Sequence, residues 1–170
     1  MSSTRRLILA AILASLTFVV TAFTMVRVPF LPAREAYFHA GDAIIYLSGM
    51  VLGPLAAFTA GLGSALADLY LGATIYIPAT LVIKAVMGGV AGWFLFNKTE
   101  EKTPAGRIVL GLAIPALWMS VGYYLYEVAV LQINWIVNLP GLLINLAQGA
   151  VGIILYLPLS AAVRRILPRS

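Results

Sequence analysis

Apolar residues fill six stretches of the chain, at about 7–26, 43–58, 60–71, 78–96, 107–130 and 140–163, with short polar breaks between them. A helix crossing a bilayer needs about 20 predominantly apolar residues. The first, fourth, fifth and sixth stretches meet that length. The second and third are shorter and share an interruption at Gly53-Pro54. Proline there removes a helical N–H and turns the residue before it away from helix. The pattern predicts an all-α integral membrane protein, a six-helix bundle with a short, broken second and third helix pair. The third helix is expected to pack inside the protein rather than to face lipid as a full span. With no internal repeat, low-complexity tract or second domain, residues 1–170 read as one transmembrane domain.

Composition agrees: 62% of residues are hydrophobic and 10% charged, with a mean hydropathy of +0.99. A soluble domain carries about 25% charged residues, so lipid must cover the excess apolar surface. Leu7 to Val26 is longer than a signal-peptide core, and no cleavage site leads into a soluble domain. It reads as a retained first helix. Arg5, Arg6, Lys98, Lys102, Arg107, Arg164, Arg165 and Arg169 fall on one side of the predicted spans, against Arg27 and Arg34 on the other. Cytoplasmic loops carry the excess of Lys and Arg, which places both termini in the cytoplasm of a multi-pass protein. Segments 27–42, 72–77 and 131–139 then face outward, and 97–106 is an inward connector.

Several function classes drop out. The chain has no cysteine and a single histidine, His39, which excludes thiolate chemistry and disfavours a zinc site. Its net charge of +5 comes from residues flanking apolar runs, not from a basic, aromatic-studded surface, so nucleic acid is not a partner. The sequence holds no Walker A, Gly-x-Ser-x-Gly or His-Glu-x-x-His motif. This chain does not hydrolyse ATP by the Walker route, and no cofactor is called for.

The polar residues inside the apolar runs carry the candidate chemistry, because a charge at mid-bilayer costs about 2.5–3.5 kcal/mol on insertion scales. Asp68 and Lys84 sit at depths of roughly 5 and 9 Å by helical rise. They are expected to form a structural ion pair bracing the third helix on the fourth, or else to contact a ligand. Tyr123 and Glu127 share a face of the fifth helix, and Asn145 and Gln148 share a face of the sixth. A carboxylate, a tyrosine and two amides suit a small heteroaromatic with hydrogen-bonding edges. Tyr37, Phe38 and Trp118 are candidates to stack on it. The outer segment 27–42, with Pro29, Pro32, Arg34, Glu35, Tyr37, Phe38 and His39, is long for a connector and reads as a cap over such a pocket. Ala10 and Ala14, four apart on the first helix, form a smooth strip suited to another membrane protein. Interfacial aromatics, interhelical hydrogen bonds and ordinary bundle packing are the plain alternatives at these positions. An intramembrane enzyme using Asp68 or Glu127, or a structural subunit without ligand, remains open on this reading.

The order of Ala10 and Ala14, Gly41-Asp42, Leu52-Gly53-Pro54, Gly61-Leu62-Gly63-Ser64-Ala65-Leu66-Ala67-Asp68, Pro78-Ala79-Thr80 with Lys84, and Asn145-Leu146-Ala147-Gln148 resembles the S components of energy-coupling factor (ECF) transporters. The likeness is to the riboflavin-type branch, which includes carriers of hydroxymethylpyrimidine and pyridoxine-like compounds. It implies a prokaryotic plasma-membrane protein that captures a small water-soluble vitamin at an outer site gated by the first outer loop. It further implies docking through Ala10 and Ala14 on a transmembrane coupling subunit powered by two cytoplasmic ATPases.

Overall fold

A computed structural model describes residues 2–29, 37–97 and 103–166. The central part of the expected cap, with Pro32, Arg34 and Glu35, lies outside the described residues, as do Lys98, Glu100, Glu101, Lys102 and Arg169. Among the described residues six α-helices run in order: α1 (Ser3–Phe23), α2 (Asp42–Leu52), α3 (Ala56–Leu71), α4 (Ile77–Leu95), α5 (Ala105–Ala129) and α6 (Leu139–Ile166). They form five stretches long and apolar enough to cross a membrane, α2 and α3 counting together. Two short strands, β1 (Val26–Arg27) and β2 (Tyr37–Phe38), pair antiparallel between α1 and α2, with Val26 opposite Phe38.

The break between α2 and α3 is sharper than the apolar pattern suggested. Helix α2 stops at Leu52, and a 3-10 turn over Gly53–Leu55 leads into α3 at Ala56. Gly53 holds φ at +66°, a left-handed conformation that glycine alone adopts without penalty, and Pro54 fixes the next step. The chain reverses there. Along α4, Asp42 meets Lys84 and Gly49 meets Gly92, so α2 runs parallel to α4. Gly61 faces Leu81 and Ala85 while Ala56 faces Gly88, so α3 runs antiparallel to it. Glycines make the approach possible: a Cβ on Gly92 would stand 2.1 Å from the Gly53 carbonyl oxygen, and one on Gly88 2.5 Å from that of Ala56.

Nine of the 11 residues of α2 are buried, as expected of a helix apolar all round. Its first residue lies level with Lys84, seven residues into α4, and so about 10 Å below the start of that helix. Space is left above the α2 N-terminus. The outer helices carry the exposed apolar side chains, among them Ile12 on α1, Trp93 on α4, Leu117 and Leu125 on α5, and Leu143 on α6.

One predicted surface is covered. Ala10 and Ala14 are buried at 4% and 8% exposure. Ala10 packs with Leu13, Ile44 and Leu52, and a Cβ on Gly63 of α3 would stand 2.5 Å from the Ala14 carbonyl oxygen. The small residues at these positions let α1 close on α2 and α3 and are not a free strip. Ala11 and Ser15, one position along and also four apart, are exposed.

Candidate functional site

The space above α2 is an open pocket of about 550 Å³, a figure that includes the solvent at its mouth. Ser64 and Asp68 of α3 line it, with Tyr76, and Thr80 and Lys84 of α4. Tyr123 and Glu127 of α5 face these, and Gly141, Ile144, Asn145 and Gln148 of α6 also line it. Tyr37 and His39, from the segment just before α2, line it as well. The α6 set falls at i, i+3, i+4 and i+7, one face of a helix.

Two polar clusters organise the wall. At the floor, the Lys84 ammonium pairs with Asp42 Oδ1 at 2.5 Å, both side chains essentially unexposed. Gln148 Nε2 donates to Asp42 Oδ2 at 3.0 Å, and Gln148 Oε1 accepts the His39 backbone N–H at 3.1 Å. The Gly41 N–H donates to His39 Nδ1 at 3.0 Å. A buried charge is tolerated only when paired and hydrogen-bonded, and Lys84 meets that requirement through Asp42. The expected Asp68–Lys84 brace is therefore corrected: the lysine's ion-pair partner is the first residue of α2, because α2 rather than α3 starts at its depth. Asp68 accepts a hydrogen bond from the Tyr37 hydroxyl, tying β2 to α3. Near the other end of the wall, Glu127 accepts the Tyr76 hydroxyl on Oε1 and the Asn138 amide on Oε2, both at 2.8 Å. Between the clusters the Thr80 and Tyr123 hydroxyls are 2.9 Å apart, and the Lys84 Nζ stands 5.8 Å from the Tyr123 ring centroid.

The covering residues are electrostatically biased. Burial pushes the His39 imidazole down to about 4; the Asp42 charge opposes this and Lys84 adds to it. Burial, then the Asp68 charge and hydrogen bond, raise the Tyr37 phenol. Both are thus held neutral at pH 7.

Of the residues singled out in the sequence, Tyr37, His39, Tyr123, Glu127, Asn145 and Gln148 stand in the wall, joined by Asp68 and Lys84. Phe38 does not, since successive strand side chains point to opposite faces. Trp118 lies 42% exposed on the outer side of α5, its indole N–H donating to the Ile83 carbonyl at 3.1 Å. Ser64, Tyr76, Thr80, Gly141 and Ile144 are additions. Ser64 and Thr80 each stand four residues before a charge already noted, Asp68 and Lys84, and that spacing was the available signal. Tyr76 had none, because it sits in a 3-10 turn inside what reads as an outer loop.

The family model described as "ECF-type riboflavin transporter, S component" matches residues 1–165. A protein of Pyrococcus woesei, described only as an uncharacterized protein in a gap 3'region, is 42% identical over 106 residues, which is 61% of this chain and 68% of that protein.

Proposed function

The chain belongs to the family of ECF-type riboflavin transporter S components, and on that footing we propose that its cavity captures a small water-soluble vitamin or precursor from outside the cell. The ligand is riboflavin, hydroxymethylpyrimidine or a pyridoxine-like compound. As a transporter S component the chain is a membrane protein and not an enzyme. The observation that carries the proposal is a wall of two buried polar clusters at one end of an otherwise apolar bundle. Lipid cannot fill such a cavity favourably; a polar, aromatic ligand can.

Orientation follows from charge. The helix directions put Arg5, Arg6, Arg107, Arg164 and Arg165 at the end that holds the Gly53–Leu55 turn, opposite the cavity. By the positive-inside tendency that end is cytoplasmic, with six crossings, both termini inside and the cavity facing outward, in a prokaryotic plasma membrane. Delivery inward would require a transmembrane coupling subunit and two cytoplasmic ATPases. The exposed pair Ala11 and Ser15 replaces Ala10 and Ala14 as the strip proposed to meet that subunit.

The test is calorimetric titration of the purified protein with each of the three vitamins, alongside mass spectrometry of small molecules released from it. Tight binding of at least one is expected. No binding of any, with nothing released, would leave a subunit without a ligand and sink the proposal.

A further inference from the structure

The joint between α5 and α6 presents apolar side chains where a connector in water would present polar ones. At its apex Trp135 is 59% exposed, and Ile136 and Val137 are 57% exposed each. Val130, Leu139 and Leu143 beside them are exposed as well. Contiguous exposed apolar side chains mark a contact surface. No charged residue occurs between Glu127 and Arg164. The backbone of the apex is also closed on itself. Ile136 and Val137 donate their N–H groups to Asn134 Oδ1 at 3.0 and 3.3 Å. Asn138 and Leu139 donate theirs to the Asn134 and Ile136 carbonyls at 3.0 and 3.2 Å. The Trp135 carbonyl accepts the Tyr124 hydroxyl at 2.9 Å. An apolar setting penalises unpaired backbone groups, whereas water pairs them at once.

Helix lengths set the height of this joint. From Arg107 to Ala129, α5 rises about 33 Å, and from Arg164 to Leu139, α6 rises about 37 Å. A hydrocarbon core is about 30 Å thick, and the bilayer with its headgroups about 40–45 Å. With the arginines at one surface, the joint reaches the opposite interface, the level at which tryptophan is enriched. We propose that residues 133–139 form a lipid anchor, with Trp135, Ile136 and Val137 inserted at the headgroup–acyl boundary of the leaflet on the pocket side. The exposed apolar surface of α5 and α6 runs into the anchor through Val130 and Leu143, so lipid that covers the helices covers the apex too. The anchor also holds the pocket wall. The Ile133 N–H donates to the Glu127 carbonyl at 3.0 Å, and the Asn138 amide donates to the Glu127 carboxylate at 2.8 Å.

The chain has no cysteine, so a nitroxide can be placed by a single substitution. Ile136→Cys and Val137→Cys are labelled in vesicles of phosphatidylcholine and phosphatidylglycerol. Leu143→Cys serves as the lipid-facing reference and Ser3→Cys as the water-facing one. Collision of each label with oxygen, which concentrates in lipid, is compared with collision with a water-soluble nickel chelate. At the apex the ratio of oxygen to nickel collisions is expected to exceed that at Ser3→Cys at least threefold and to approach that at Leu143→Cys. A ratio equal to that at Ser3→Cys would place the joint in water and overturn the proposal. Low collision with both reagents would mean that a protein surface, a second copy or another subunit, covers the apex, and would overturn it as well. Trp135 fluorescence gives a second measurement that leaves the apex unaltered. With Trp93→Phe and Trp118→Phe in place, lipid brominated high on the acyl chain should quench Trp135 at least threefold more than aqueous iodide does. Stronger quenching by iodide would overturn the anchor.

Discussion

At the scale of single residues, close backbone approach and neutral burial set the terms. Gly92 and Gly89 are near neighbours on α4 with opposite surroundings. A methyl at Gly92 would stand 2.1 Å from a backbone oxygen that cannot move aside, whereas one at Gly89 would meet the Ala57 methyl at 3.4 Å, ordinary contact. Gly92→Ala should therefore destabilise by about 3 kcal/mol or fail to fold, as overpacking does. Gly89→Ala should be neutral or stabilise by up to about 1 kcal/mol through helix propensity. Thermal unfolding in detergent separates them, and equal shifts would contradict the packing described. His39 gives a pH prediction. Burial pushes its imidazole down to about 4 where it is packed, against an ordinary value of 6.5 when released to water. Between those values the released form binds more protons, so closure is fully favoured above pH 6.5. It weakens by up to about tenfold per unit as pH falls toward 4. Hydrogen exchange of the 37–41 segment, compared with His39→Asn at each pH, reads this directly. The asparagine variant should lack the slope, and parallel profiles would count against it.

At the scale of elements, one ion pair sets where α2 begins. Asp42, Lys84 and Gln148 join three helices at the cavity floor. Removing one partner of a buried pair leaves an uncompensated charge, typically costing about 3–5 kcal/mol, while replacing both is far milder. Lys84→Met alone should cost on that order, and adding Asp42→Asn should recover at least half. A single variant within about 0.5 kcal/mol of the parent would show that water already reaches the pair. The same place shows what the sequence could and could not disclose. Apolar stretches and the Gly53-Pro54 break announced the helices, since length and proline act locally. The choice of Asp42 over Asp68 as partner for Lys84 did not, because it depends on how deep α2 starts, and that depth comes from the glycine contacts of α2 and α3 with α4. Glu127, Asn145 and Gln148 were legible as polar residues with nowhere else to go in an apolar run. Asn138 read only as the start of the sixth helix, and its hold on Glu127 was not legible.

At the scale of the whole molecule, the two faces of α1 separate folding from assembly. The face with Ala10, Leu13 and Ala14 is spent on α2 and α3, so bulk there must disturb the fold. Ala11 and Ser15 lie on the exposed face beside Leu7, Ile8 and Ile12. Small residues flanked by large apolar ones let a second helix approach closely in lipid, where packing rather than water exclusion drives association. Ala14→Leu should lower the thermal midpoint and with it the vitamin affinity, because α3, which carries Ser64 and Asp68, would be pushed from its seat. Ala11→Trp with Ser15→Trp should leave both midpoint and affinity at parental values, since neither side chain touches the bundle, yet abolish uptake in cells that supply the coupling subunit and its ATPases. Uptake that survives the double tryptophan variant would move the docking face elsewhere. Binding lost in that variant would mean that this face of α1 is packed against the bundle after all.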